Sequence, residues 1–143
     1  MATTRNATTS WKGSLTEGAG QVTLQSSGVG TYDVSWAARA EEPNGKTSPE
    51  ELIAAAHSSC FSMALSAALG KAGTPPQALD TSAAVDFQPG KGITEIRLTV
   101  VGTVDGLSED EFKAAAEDAK KNCPVSQALA GVESMTVEAS LAS

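Results

Sequence analysis

Apolar and polar residues alternate along the first forty positions and then give way to helical spacing, so the chain changes character near Ser48. Val22 and Leu24 alternate with polar neighbours, as do Val34 and Trp36 within Tyr32-Asp33-Val34-Ser35-Trp36-Ala37. A period of two predicts a strand meander, with turns at Gly13, Gly18 to Gly20 and Ser27 to Gly30. The break at Glu42-Pro43-Asn44-Gly45-Lys46 precedes a strong helix start: Ser48 can cap, Pro49 suits the first helical position, and Glu51 completes a capping box. The helix predicted from Pro49 to about Gly70 carries Leu52, Ile53, Ala56, Cys60, Met63, Ala64 and Ala67 along one broad stripe. Its other side is mostly Ala and Ser, which predicts burial on most sides.

After Gly73-Thr74-Pro75-Pro76, the alternation resumes with Ala83, Val85 and Phe87, and again with Ile96, Leu98, Val100 and Val104. Ser108 with Glu111 forms a second capping box, and Leu107 with Phe112 a hydrophobic staple, so a helix is expected from Glu109 to about Lys121. Pro124 marks the junction with a short helix ending near Gly131, and Met135, Val137, Ala139 and Leu141 share one face of a last strand. Strands, a long helix, more strands, two helices and a final strand predict a single α+β domain over residues 1–143 rather than a regular βαβ series.

Composition narrows the function. With 10 basic and 17 acidic residues the formal charge is −7, which argues against a nonspecific nucleic-acid binder. Aromatic residues are only 4% of the chain, and Trp11, Tyr32 and Trp36 are too scattered for a base-stacking surface. Met1 to Trp11 lacks the apolar core of a signal peptide, so secretion is not expected. His57 and four serines interrupt the most apolar run, Leu52 to Leu69, so a membrane span is not expected either.

The two cysteines, Cys60 and Cys123, are too few for a disulfide scaffold or a CxxC zinc site. A free cysteine commonly fills core space, and on the residues alone a noncatalytic binding or structural protein stays open. The redox alternative requires one thiol with thiolate character and a second that reaches it after oxidation. Cys60, in mid-helix, gets no help from helix N-terminal amides and needs a cation. Arg39 is the candidate, with Glu50 to orient it; Glu51 competes but already has a capping role. The plainer readings are a surface arginine and an acidic residue favoured by the first helical turn. His57 and Cys60, three apart, have a spacing open to a metal or thiolate–imidazolium pair, although a packed or hydrogen-bonded histidine is simpler.

The run Pro49-Glu50-Glu51-Leu52-Ile53-Ala54-Ala55-Ala56-His57-Ser58-Ser59-Cys60-Phe61-Ser62-Met63 resembles the central-helix signature of the OsmC/Ohr family of osmotically inducible proteins and organic hydroperoxide resistance enzymes. Asn122-Cys123-Pro124-Val125-Ser126 resembles its second-cysteine motif, and His57-Ser58-Ser59-Cys60 is closer to the OsmC branch. The resemblance implies an intertwined α+β homodimer with antiparallel sheets around a buried central helix. It also implies a cytoplasmic, cofactor-free thiol peroxidase of oxidative and osmotic stress. Cys60 matches the peroxidatic cysteine, Cys123 the resolving cysteine, Arg39 the activating arginine and Glu50 its acidic partner. Organic hydroperoxides are the implied substrates, with hydrogen peroxide also used by some OsmC-type members. The implied reductant is a dithiol, with lipoyl groups on carrier proteins as the physiological form.

Overall fold

In the computed structural model, which describes residues 1–143, the expected meander consists of β1 (Thr8–Lys12), β2 (Ala19–Thr23) and β3 (Thr31–Val34). These form an antiparallel sheet in the order β1-β2-β3. The last strand is shorter than its alternation suggests. Ser35 caps a helical turn, α1 (Trp36–Ala40), its hydroxyl accepting from the Ala38 amide at 3.1 Å. With Ala-Ala-Arg-Ala following the cap, helix propensity prevails over the two-residue period, and Arg39 sits in a helix rather than after a strand.

Helix α2 (Pro49–Lys71) begins where the capping signal places it, with the Glu51 amide donating to Ser48 Oγ at 3.2 Å. The reciprocal half of the box is replaced: the Glu51 carboxylate accepts from the Thr47 hydroxyl instead. Beyond the buried Glu50 of its first turn, the buried residues of α2 are His57, Phe61, Leu65 and Leu69, one every four positions. Ala56, Met63 and Ala67, assigned by the sequence pattern to the inner stripe, are exposed. By length and composition alone α2 is apolar enough to cross a membrane, a test that the core helix of a globular protein also meets. Its serines are partly masked: Ser58, Ser59 and Ser62 donate to Ala54, Ala55 and Ser58 carbonyls one turn back.

The chain divides into two compact units, Met1–Leu52 and Ile53–Ser143. In the second, β4 (Ala78–Gln88) and β5 (Gly92–Thr103) form a long antiparallel hairpin that pairs Ala83 with Leu98 and Val85 with Ile96. Its turn uses Gly90 at φ 86° and Gly92 at φ 100°, a region that side chains disfavour. Then come α3 (Glu109–Asn122), whose Ser108–Glu111 capping box is complete, and α4 (Pro124–Ala128). The last strand, β6 (Ser134–Leu141), lies parallel to β5 rather than antiparallel. A parallel neighbour requires a crossover, and α3 with α4 supplies it.

One face of β5 buries Leu98 and Val100 against Phe61, Leu65 and Leu69 of α2 and Phe112, Ala116 and Ala119 of α3. Each fully buried Phe or Leu contributes roughly 1.5–3 kcal/mol relative to exposure. Gly102 lets α3 approach β5 closely: a Cβ there would lie 2.5 Å from Phe112 Cζ. This core holds the inner side of α2, and with it the segment carrying His57 and Cys60.

Candidate active site

Arg39 and Glu50 come together within the N-terminal unit. Arg39 Nε donates to both carboxylate oxygens of Glu50 at 3.1 Å, and Nη2 donates to Oε2 at 2.9 Å. The Glu50 side chain is 8% exposed and that of Arg39 32% exposed, so the carboxylate is a buried anchor for a partly open guanidinium. A fork of this kind fixes orientation as well as charge. Beside it lies a cleft of about 400 Å³, lined by Trp11, Leu15, Val22, Val34, Trp36 and Leu52, with Arg39 as its cationic member.

The thiols come together within the C-terminal unit. Cys60 projects from α2, while Cys123 ends α3 and opens α4. Both are unoxidised, and they lie close enough to share a hydrogen bond. Cys60 is partly accessible, whereas Cys123 is fully buried. Burial pushes the Cys60 thiol above its usual value, the Cys123 thiol pushes it the same way, and the Val125 backbone offsets part of this. Burial also opposes ionisation of Cys123, but Cys60, the Ser126 amide and hydroxyl, and the Val125 amide together hold Cys123 below its usual value.

One contact was not singled out in the sequence. His57, fully buried, has its Nε2 2.7 Å from Ser126 Oγ, while its Nδ1 meets no hydrogen-bond partner. Burial lowers the His57 pKa, favouring the neutral ring. The available signal was a matched spacing: His57 precedes Cys60 by three positions, and Ser126 follows Cys123 by three. His57 and Cys60 lie on one face of α2, and Ser126 lies in the first turn of α4 that follows Cys123, so the thiols form one cross-connection and the imidazole and hydroxyl another. The structure thus supports the hydrogen-bonded reading of His57.

Comparison with known proteins gives a consistent picture. The family model described as OsmC-like protein matches residues 42–138. The chain is 41% identical to peroxiredoxin OsmC of Escherichia coli K12 over 122 residues, spanning 83% of this chain and 85% of that protein. Among solved structures, an OsmC-like protein from Mycoplasma pneumoniae aligns over 100% of both chains with a TM-score of 0.74 at 16% identity. The organic hydroperoxide resistance protein OhrB of Bacillus subtilis aligns over 96% of this chain and 98% of its own, with a TM-score of 0.62 at 22% identity. At these identities the two structures establish likeness of fold.

Proposed function

The chain belongs to the OsmC family, and from that premise we propose a thiol-dependent peroxidase that reduces organic hydroperoxides through Cys60 and Cys123. The observation that carries this reading is the proximity of two free thiols of unequal exposure. The accessible sulfur of Cys60 suits attack on a peroxide, and the shielded sulfur of Cys123 suits the step that follows.

Cys60 thiolate attacks one peroxide oxygen; the O–O bond breaks, and the departing alkoxide takes a proton to become an alcohol. Cys60 is left as a sulfenic acid. Cys123 then attacks the Cys60 sulfur, the S–O bond breaks, and the released hydroxide takes the proton of the Cys123 thiol to leave as water. An external dithiol reduces the resulting disulfide to two thiols, and the lipoyl group of a carrier protein has the required chemistry.

A Cys60 thiol raised by burial requires a cation to ionise readily at neutral pH, which is the role assigned to Arg39. Its guanidinium also stabilises charge developing on the peroxide oxygens, and Glu50 fixes its direction. The apolar cleft beside Arg39 suits an alkyl group, which favours organic hydroperoxides over hydrogen peroxide. No cofactor is needed for these steps.

The two compact units act as one OsmC-like domain in a cytoplasmic homodimer. Met63 is 72% exposed on a side of α2 that also exposes Ala56, Ser59 and Ala67, and a second copy is the proposed cover for this apolar surface. The test is turnover of tert-butyl hydroperoxide with dihydrolipoamide or a monothiol as reductant. Alcohol release faster with the dithiol is expected; no release with either would overturn the peroxidase reading.

A further inference from the structure

The hydrogen bond between His57 and Ser126 is not used by the two-thiol chemistry, yet it is made by fully or nearly fully buried groups directly beside that chemistry. Removing two polar side chains from water is unfavourable unless their hydrogen bonds are made, and this pair leaves one ring nitrogen without a partner. An apolar pair would fill the same space without that cost. The arrangement calls for a reason beyond packing.

The protonation pattern follows from the partners. His57 is neutral, because burial disfavours the imidazolium. Its one ring proton sits on Nε2 or on Nδ1. Placing it on Nδ1 would bury an N–H with no acceptor, a rarer condition in folded proteins than an unmet acceptor. With the proton on Nε2, His57 donates to Ser126 Oγ. The Ser126 hydroxyl hydrogen is then free to point elsewhere, and Cys123 is the sulfur with which that hydroxyl interacts.

We propose that His57 and Ser126 are positioning residues for the resolving step. Neutral His57 holds the serine oxygen through Nε2–H, and Ser126 directs its own hydrogen at the Cys123 sulfur as that sulfur attacks oxidised Cys60. The assignment rests on the two-thiol reading above. It adds no reactant: the S–S bond still forms as the S–O bond breaks, and the proton of Cys123 still leaves with the hydroxide as water. The pair acts on the nucleophile of the second step and leaves the first step to Cys60.

The test separates those steps in the full-length protein. Reduced wild type, Ser126→Ala, His57→Leu and His57→Gln are mixed rapidly with one equivalent of tert-butyl hydroperoxide. Sulfenic acid at Cys60 and the Cys60–Cys123 disulfide are then followed separately by quench and peptide mass analysis. Losing one hydrogen bond to a developing thiolate should slow disulfide closure about tenfold in Ser126→Ala and His57→Leu. Their sulfenic acid formation should slow much less. Glutamine, which retains an N–H donor, should restore most of the closure rate.

A second readout uses Cys123 as the sole thiol, in a Cys60→Ser background. Its alkylation should shift to higher pH when Ser126 is replaced by alanine, an effect that a purely packing role would not produce. Closure at the wild-type rate in both Ser126→Ala and His57→Leu, or equal slowing of both steps, would overturn the assignment. Failure of wild type itself to form the disulfide would overturn the two-thiol reading and this assignment together, and the wild-type trace alone identifies that case.

Discussion

The Arg39–Glu50 pair holds opposite charges through hydrogen bonds of 2.9 and 3.1 Å, whereas the Cys60–Cys123 pair shares hydrogen-bonding capacity between two uncharged or singly charged sulfurs. In the first, the anion is buried and the cation partly open; in the second, the Cys123 sulfur is buried and the Cys60 sulfur partly open. Each pair thus presents one member and shields the other. The ion pair is rigid because its fork satisfies both partners at once. The thiol pair is changeable, because removing one proton, or adding one oxygen to Cys60, alters which sulfur carries charge. Under the proposed chemistry, orientation falls to the N-terminal unit and electron transfer to the C-terminal unit.

Removing the open sulfur is the strongest way to break this division. Cys60→Ser should reduce dithiol-dependent peroxide turnover by about a thousandfold, equivalent to roughly 4 kcal/mol of barrier; alcohol production measured by chromatography checks it. Removing the shielded sulfur should separate the steps. Cys123→Ser should still consume about one equivalent of hydroperoxide and accumulate a sulfenic acid reactive toward a cyclic diketone, while turnover with a dithiol falls about a hundredfold. Full dithiol-dependent turnover in both variants would contradict the two-thiol scheme.

The ion pair should respond asymmetrically. Arg39→Ala leaves a buried carboxylate without its cation, with an expected stability loss of about 1–3 kcal/mol in denaturant unfolding, whereas Glu50→Gln leaves a partly exposed guanidinium that water can serve. Arg39→Ala should also slow Cys60 oxidation about tenfold to a hundredfold, with a smaller effect from Glu50→Gln. Equal stability losses would show that burial of Glu50 does not govern the pair.

The smallest effect concerns pH. Burial lowers the His57 pKa from 6.5, so below that pH the unfolded chain takes up its proton before the folded one does. The contribution of neutral His57 to stability is complete above pH 6.5 and erodes as pH falls toward the lowered folded value. His57→Gln should flatten this part of the stability curve, measured by thermal unfolding in a pH series. An unaltered slope would place the acid sensitivity elsewhere.

Features with local causes were legible in the sequence. Ser108 and Glu111 form the expected capping box, Pro49 starts α2, and the alternation from Ile96 to Val100 buries those residues on one side of β5. Two local signals conflicted at Trp36, where a capping serine prevailed over strand alternation. The face of α2 was obscured because alanine and serine surround the helix, leaving no clear contrast between its sides; contacts with Phe112, Leu98 and Val100 select Phe61, Leu65 and Leu69 instead. Parallel pairing of β6 with β5 depends on the path of α3 and α4 and is absent from strand alternation.

The candidate site divides in the same way. Cys60, Cys123 and Glu50 are legible from their chemical types and their place in two motifs, and Arg39 from its charge and its place before the central helix. Ser126 stood inside the second motif without a role, since a serine in a short helix is chemically ordinary until its partner is known. His57 lies 69 positions away, and only folding makes that hydrogen bond visible.

The central claim is that Cys60 and Cys123 form one redox unit. Fully reduced protein should be given one equivalent of tert-butyl hydroperoxide, with intact-mass and peptide-mass analysis run alongside alcohol measurement. The account predicts rapid formation of a Cys60–Cys123 disulfide with one alcohol released per disulfide. Persistence of both free thiols with the peroxide unconsumed would contradict it.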